Sequence, residues 1–131
     1  MQTSELNFSI EVPEIVRQGR PRFTTKRKII WVYYDEKTRR QRKLLVDLFR
    51  AGYPNVQVDD KAQFKLFITV IKGKSKGRVD LDNVIKIVMD AFTGIIWKDD
   101  SQVSSVTAAF ENSKQGESKT IVLVVKEPKD E

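Results

Sequence analysis

Stretches of strand period and helix period are interleaved along this chain, and their order restricts the fold more than any other feature. Leu6, Phe8, Ile10 and Val12 alternate with Asn7, Ser9 and Glu11, which predicts a half-buried strand that Pro13 ends. Residues 14–28 hold Gly19, Pro21 and a dense run of Arg and Lys, and read as a loop. Residues 29–34 are apolar and aromatic, a second strand. A helix is predicted over 35–51, with Leu44, Leu45, Leu48 and Phe49 on one face and Gly52 and Pro54 as its stop. Phe64, Leu66, Ile68 and Val70 form a further strand. A second helix runs over 80–93 with Gly94 as its stop, and the last two strands, 102–110 and 120–125, are joined by a hairpin-like turn over 113–118. The order β, β, α, β, α, β, β predicts an α+β fold: a single domain over 1–131, a mixed sheet with two main helices, and 126–131 as a flexible charged tail.

The chain has no histidine and no cysteine. That excludes a zinc finger, a disulfide framework, a thiol nucleophile, a Ser-His-Asp triad and an imidazole base. Catalysis would have to run on carboxylates, lysine, hydroxyls, or a metal held by oxygen alone, which suits hard cations such as Mg²⁺ or Mn²⁺. No apolar run approaches the ~18 residues of a membrane span, and residues 1–5 are polar rather than signal-like, so a cytoplasmic location is expected.

Charge is distributed unevenly. Between Arg17 and Arg50, twelve Lys and Arg face three acids, a net +9; the whole chain is +6, so the remainder is −3. Such asymmetry points to a polyanionic partner, most simply nucleic acid, against the plainer reading of a solvated face. Gly73-Lys74-Ser75 follows a strand and invites a P-loop reading, but the first glycine of that motif would fall at Ile68, so the reading fails. The expected nucleic-acid contacts are Arg20, Arg22, Phe23, Lys26 and Arg27 in the first basic loop, and Lys74, Lys76 and Arg78 in the second. Trp31, Tyr33 and Tyr34 read as core or subunit interface in preference to base-stacking groups.

The segment 78–100 concentrates the chemistry. On a helical wheel with Asp82 at 0°, Lys86 lies near ~40°, Asp90 near ~80° and Asn83 near ~100°, opposite Val84, Ile85, Val88, Met89 and Phe92. Asp80 and Asp82 at the helix start suit an N-cap and the helix dipole, but one Asp suffices for that. With Asp99 and Asp100 nearby, four carboxylates would share a neighbourhood and repel unless cations bind. Phosphodiester hydrolysis uses such a site, with Lys86 placed to offset charge on the phosphate. The plainer alternative is an Asp82–Lys86 surface ion pair worth about 0.3–0.5 kcal/mol.

Asp80-Leu81-Asp82-Asn83-Val84-Ile85-Lys86, then Asp90-Ala91-Phe92-Thr93-Gly94, then Asp99-Asp100-Ser101-Gln102-Val103, resembles the signature of the RusA family of Holliday-junction resolvases, endodeoxyribonucleases of phages and prophages. Gly19-Arg20-Pro21-Arg22-Phe23 is similar to that family's basic N-terminal element. The resemblance implies a homodimer that cuts paired strands of a four-way junction symmetrically with Mg²⁺, Mn²⁺ substituting. It implies that Asp80, Asp82 and Asp100 hold the metal, that Lys86 stabilises the phosphate transition state, and that Asn83, Asp90 and Asp99 support them. Two features depart from the family: Asp90 to Asp99 is one residue shorter than in some members, and Ala108-Ala109-Phe110 stands where some carry a basic residue, which Lys114 would replace. Two other readings stay open, a branched-DNA-binding protein that does not cut and a metal-dependent nuclease for other branched DNA or RNA. The aspartates weigh against the first, because carboxylates facing DNA weaken binding unless cations bridge them.

Overall fold

In β1 (Asn7–Val12) the alternation is realised in full: Phe8, Ile10 and Val12 are buried, while Asn7, Ser9 and Glu11 are exposed. The computed structural model describes residues 7–19, 22–26, 29–33, 36–73, 77–113 and 116–127, the runs 22–26 and 29–33 by backbone alone. The remaining described elements are β2 (Arg22–Lys26), β3 (Ile29–Tyr33), α1 (Glu36–Gly52), β4 (Phe64–Lys72), α2 (Leu81–Phe92), β5 (Val103–Asn112) and β6 (Lys119–Lys126), with a 3₁₀ turn (Asp100–Gln102) ahead of β5. The α+β class, the mixed sheet and the two helices are as the sequence predicts.

Two expectations change. The stretch read as one loop over 14–28 contains β2, which pairs antiparallel with β3 from Arg22↔Tyr33 to Lys26↔Ile29. The Lys and Arg within it mask a strand-compatible Arg-Phe-Thr-Thr-Lys run. Nor do the last two strands form a hairpin. The four-stranded sheet has the order β1-β6-β4-β5, with β5 parallel to β4 and β6 antiparallel to both β4 and β1. The connection over 113–118 therefore crosses the end of β4. Ser113 N–H donates to the Lys72 carbonyl at 3.0 Å, and Gly73 N–H donates to Ser118 Oγ at 3.0 Å. A Cβ on Gly73 would sit 2.3 Å from the Gly116 carbonyl oxygen, so the glycine of the false P-loop motif serves a close backbone crossing.

Composition explains the strand order. In β6, Thr120, Val122 and Val124 are buried and Ile121, Leu123 and Val125 half-buried, which suits an interior strand. In β5 most positions are exposed, Val106 and Phe110 included, which suits an edge. The β4–α2–β5 unit is a crossover between parallel strands, and it lays α2 across the sheet beside α1.

Both helices bury one face in the core cluster to which β1, β4 and β6 also contribute. In α2 the buried set is Val84, Ile87, Val88, Ala91 and Phe92, with Ile85 and Met89 at its margin. In α1 it is Thr38, Gln41, Leu45 and Phe49, so the buried stripe runs through two polar residues, with Leu44 and Leu48 only half-buried. Those polar residues satisfy the backbone of the coil 14–19, which has no ladder of its own. Gln41 Oε1 accepts Arg17 N–H at 3.1 Å, Gln41 Nε2 donates to the Ile15 carbonyl at 3.1 Å, and Thr38 Oγ1 accepts Gly19 N–H at 2.9 Å. From the other side, Thr120 Oγ1 accepts Val16 N–H and donates to the Glu14 carbonyl. At the C-terminal end, Lys126 closes β6 and Glu127 N–H donates to Gln63. Of the expected tail 126–131, Lys126 and Glu127 are thus engaged, and 128–131 lie outside the described residues. Among the described residues no helix is long and apolar enough to cross a membrane.

Candidate active site

The start of α2 is set by Asp80, extended at φ −89 and ψ 123, whose carbonyl accepts Asn83 N–H at 3.1 Å and Val84 N–H at 3.4 Å. Its carboxylate makes no capping bond and lies 3.7 Å from Arg78 Nε, so the residue occupies the N-cap position without its side chain being consumed there. Asn83, one turn on, accepts Gln18 N–H on its carbonyl at 2.9 Å and so fastens the coil 14–19 to α2. Asp82, Lys86 and Asp90 follow at four-residue spacing, all exposed, on the face opposite Val84 and Val88.

These three do not behave alike. Asp90 lies 3.6 Å from Arg42 of α1, which ties the two helices across their exposed rims. The Asp82–Lys86 ion pair weighed from the spacing is not formed: among the described residues neither side chain has a hydrogen-bond or ion-pair partner.

Beyond α2 the chain turns sharply. Gly94 adopts φ +87, a left-handed conformation that glycine takes at no steric cost, and its N–H donates to the Trp97 carbonyl at 2.7 Å. Trp97 is fully buried, with its indole N–H on Thr93 Oγ1 at 3.0 Å. This anchor delivers Lys98, Asp99 and Asp100 to the surface. Asp99 caps the 3₁₀ turn, its carboxylate accepting Ser101 N–H and the Ser101 hydroxyl. Asp100, the first residue of that turn, is exposed, and its side chain has no partner among the described residues.

Gln102 is buried and uses its whole amide. Its Oε1 accepts Lys98 N–H at 2.9 Å and Asp99 N–H at 3.0 Å, and its Nε2 donates to the carbonyls of Asp59 at 2.8 Å and Ala62 at 2.9 Å. Asp59 is held in turn by Lys126 Nζ at 2.7 Å and by the N–H groups of Lys61 and Ala62. The Lys126 ammonium first, then those two N–H groups, keep its carboxyl well below the usual carboxylate range. Gln102 received no role in the sequence reading. Its signal was present, since Asp99-x-x-Gln102 has the spacing of a capping box. Asp59, one of two adjacent acids in a connection, had none.

Asp80, Asp82 and Asp100 are thus exposed oxygen donors of the kind a hard divalent cation takes. Among the described residues no three carboxylates converge into a group that could hold an ion. Of the expected nucleic-acid contacts, Arg78 is 92% exposed beside Asp80. Arg22, Phe23 and Lys26 are placed by backbone in β2, and their side chains, like those of Trp31 and Tyr33, lie outside the described residues. Arg20, Arg27, Tyr34, Lys74, Lys76 and Lys114 lie outside them altogether.

A family model described as endodeoxyribonuclease RusA matches residues 13–124. No individual curated protein matches the chain.

Proposed function

The chain belongs to the RusA family of endodeoxyribonucleases, and from that premise we propose that it resolves four-way DNA junctions by paired, symmetric nicks. It acts as a homodimer on branched DNA in the cytoplasm and depends on Mg²⁺, for which Mn²⁺ substitutes. Asp80, Asp82 and Asp100 would hold the cation, and Lys86 faces the phosphate.

One observation supports this assignment of roles above all. Asp82, Lys86 and Asp100 are exposed and uncommitted among the described residues, while the neighbouring acids Asp59, Asp90 and Asp99 are each engaged in an ion pair or a cap. Residues that serve only the fold would be expected among the engaged set. When bound, the cation activates water and neutralises the leaving oxygen. The chain's own residues supply position and charge. The Lys86 ammonium offsets the negative charge that builds on the phosphate in the transition state. Gln102 and Asp99 fix the turn that presents Asp100, and Arg42 with Asp90 fixes the rim of α2. The first turn of α2 places Asp82 where the helix dipole favours a carboxylate.

The test uses a synthetic mobile four-way junction with linear duplex as competitor. Paired nicks are expected with Mg²⁺ or Mn²⁺ and none with EDTA. Tight junction binding with no metal-dependent cleavage would replace this reading by that of a binding protein.

A further inference from the structure

The coil 14–19, the first two turns of α1, residues 77–79 and the connection around Gly116 enclose a polar cleft. Among the described residues three cations line it, Arg17, Lys37 and Arg40, against one acid, Glu14. Glu14 is already spoken for. Arg40 donates to both its oxygens, at 2.9 and 3.4 Å, and Gln41 Nε2 donates at 2.6 Å. Chiefly through the Arg40 hydrogen bonds, its carboxyl is held below the usual carboxylate range and stays ionised at neutral pH. The four charged side chains leave the cleft with net positive charge, and Glu14 orients Arg40 instead of closing the cleft to anions.

The cleft adjoins the start of α2. Its wall includes Val79, the residue before Asp80, and Arg17 Nη1 donates to the Arg78 carbonyl at 3.1 Å. Lys37 and Arg40, three residues apart on α1, project from one face on successive turns. A row of cations therefore runs from the first turns of α1 to the segment that carries Asp80. Carboxylates at a cutting site repel the strand to be cut, so cations beside them must hold it.

We infer that this cleft is a groove for the phosphodiester backbone of the DNA strand entering the site, with Arg17, Lys37 and Arg40 contacting its phosphates. The inference rests on the nuclease reading and extends it to three residues that are not among the nucleic-acid contacts expected from the sequence.

The experiment measures affinity of the full chain for a four-way junction in EDTA across a salt series, with circular dichroism and thermal melts as fold controls. Lys37→Ala and Arg17→Ala are expected to bind several-fold more weakly, each with the slope of log K against log salt reduced by about 0.9, the value for one lost phosphate contact on duplex DNA. Glu14→Gln is expected to bind more tightly, because it removes the one negative charge and releases Arg40. A purely structural role for the Glu14–Arg40 pair predicts the reverse, weaker binding with a lower melting temperature. If Arg17→Ala and Lys37→Ala keep wild-type affinity and slope while the wild type binds, the groove is overturned. If the wild type binds without cutting and both variants weaken, the groove stands and the nuclease reading falls. If the wild type binds no DNA, both fall.

Discussion

Gln102 and Asp99 lock one another across a single turn: the side-chain Oε1 of Gln102 accepts Asp99 N–H at 3.0 Å, and Asp99 caps the 3₁₀ helix in which Gln102 sits. The other end of the Gln102 amide holds Asp59 and Ala62, so the turn presenting Asp100 is tied to the connection before β4. Gln102→Ala would leave two N–H groups and two carbonyls in this region without their partner. At about 1–3 kcal/mol for an unsatisfied buried group, with some recovered by water, a loss on the order of 3 kcal/mol is expected. Urea denaturation with an unchanged slope measures it, and a loss under ~1 kcal/mol would show that the turn holds itself.

The amphipathic patterns made most of this fold legible. The apolar alternation of β1 and β4 stands in the sequence almost residue for residue, whereas the α2 face is read with Ile85 and Met89 where Ile87 and Ala91 are the buried residues. What escaped involves contacts between distant segments. The insertion of β6 between β1 and β4 leaves no local trace beyond apolar residues on both its faces. Burial of Thr38 and Gln41 follows from the need to satisfy the 14–19 backbone, which a helical wheel does not contain. For the site, the sequence proposes Asp80, Asp82, Lys86 and Asp100 but does not separate uncommitted acids from engaged ones. Asp90 and Asp82 look equivalent on the wheel, and Arg42, from another helix, distinguishes them.

Asp82→Asn tests the uncommitted acids. Asp82 has no partner within the described residues, so removing its charge is expected to change stability by less than about 0.5 kcal/mol. Cleavage should be abolished, while junction binding in EDTA persists or tightens as one repulsive charge leaves the DNA-facing surface. Cleavage gels and a binding isotherm on the same preparation check this, and cutting at the wild-type rate would remove Asp82 from the site.

Asp59 gives the fold a pH signature of defined sign. Its folded pKa lies below the unfolded value of about 3.9, so its contribution is complete above that value and is lost as pH falls through it toward the folded value. Asp59→Asn keeps an acceptor for Lys61 and Ala62 but loses the ion pair to Lys126, a cost of about 1 kcal/mol at neutral pH. Urea midpoints of wild type and variant should differ at pH ~7, differ equally at pH ~5, and converge toward pH ~2. A gap that stays constant to the lowest pH would mean that the lost stability is not electrostatic.

Lys86 separates chemistry from architecture most sharply, because its ammonium contributes to no ion pair or hydrogen bond among the described residues. Alanine has high helix propensity, so Lys86→Ala should leave the melting temperature near the wild-type value. If the ammonium faces the phosphate in the transition state, its loss should slow junction cleavage by about 10²–10³, the scale for removing one preorganised charge or donor. Lys86→Arg keeps the charge but changes its reach and geometry, and should recover only part of the rate. Single-turnover cleavage at saturating enzyme isolates this from binding. Equal rates for wild type and Lys86→Ala under those conditions would reduce Lys86 to a solvated residue on the exposed face of α2.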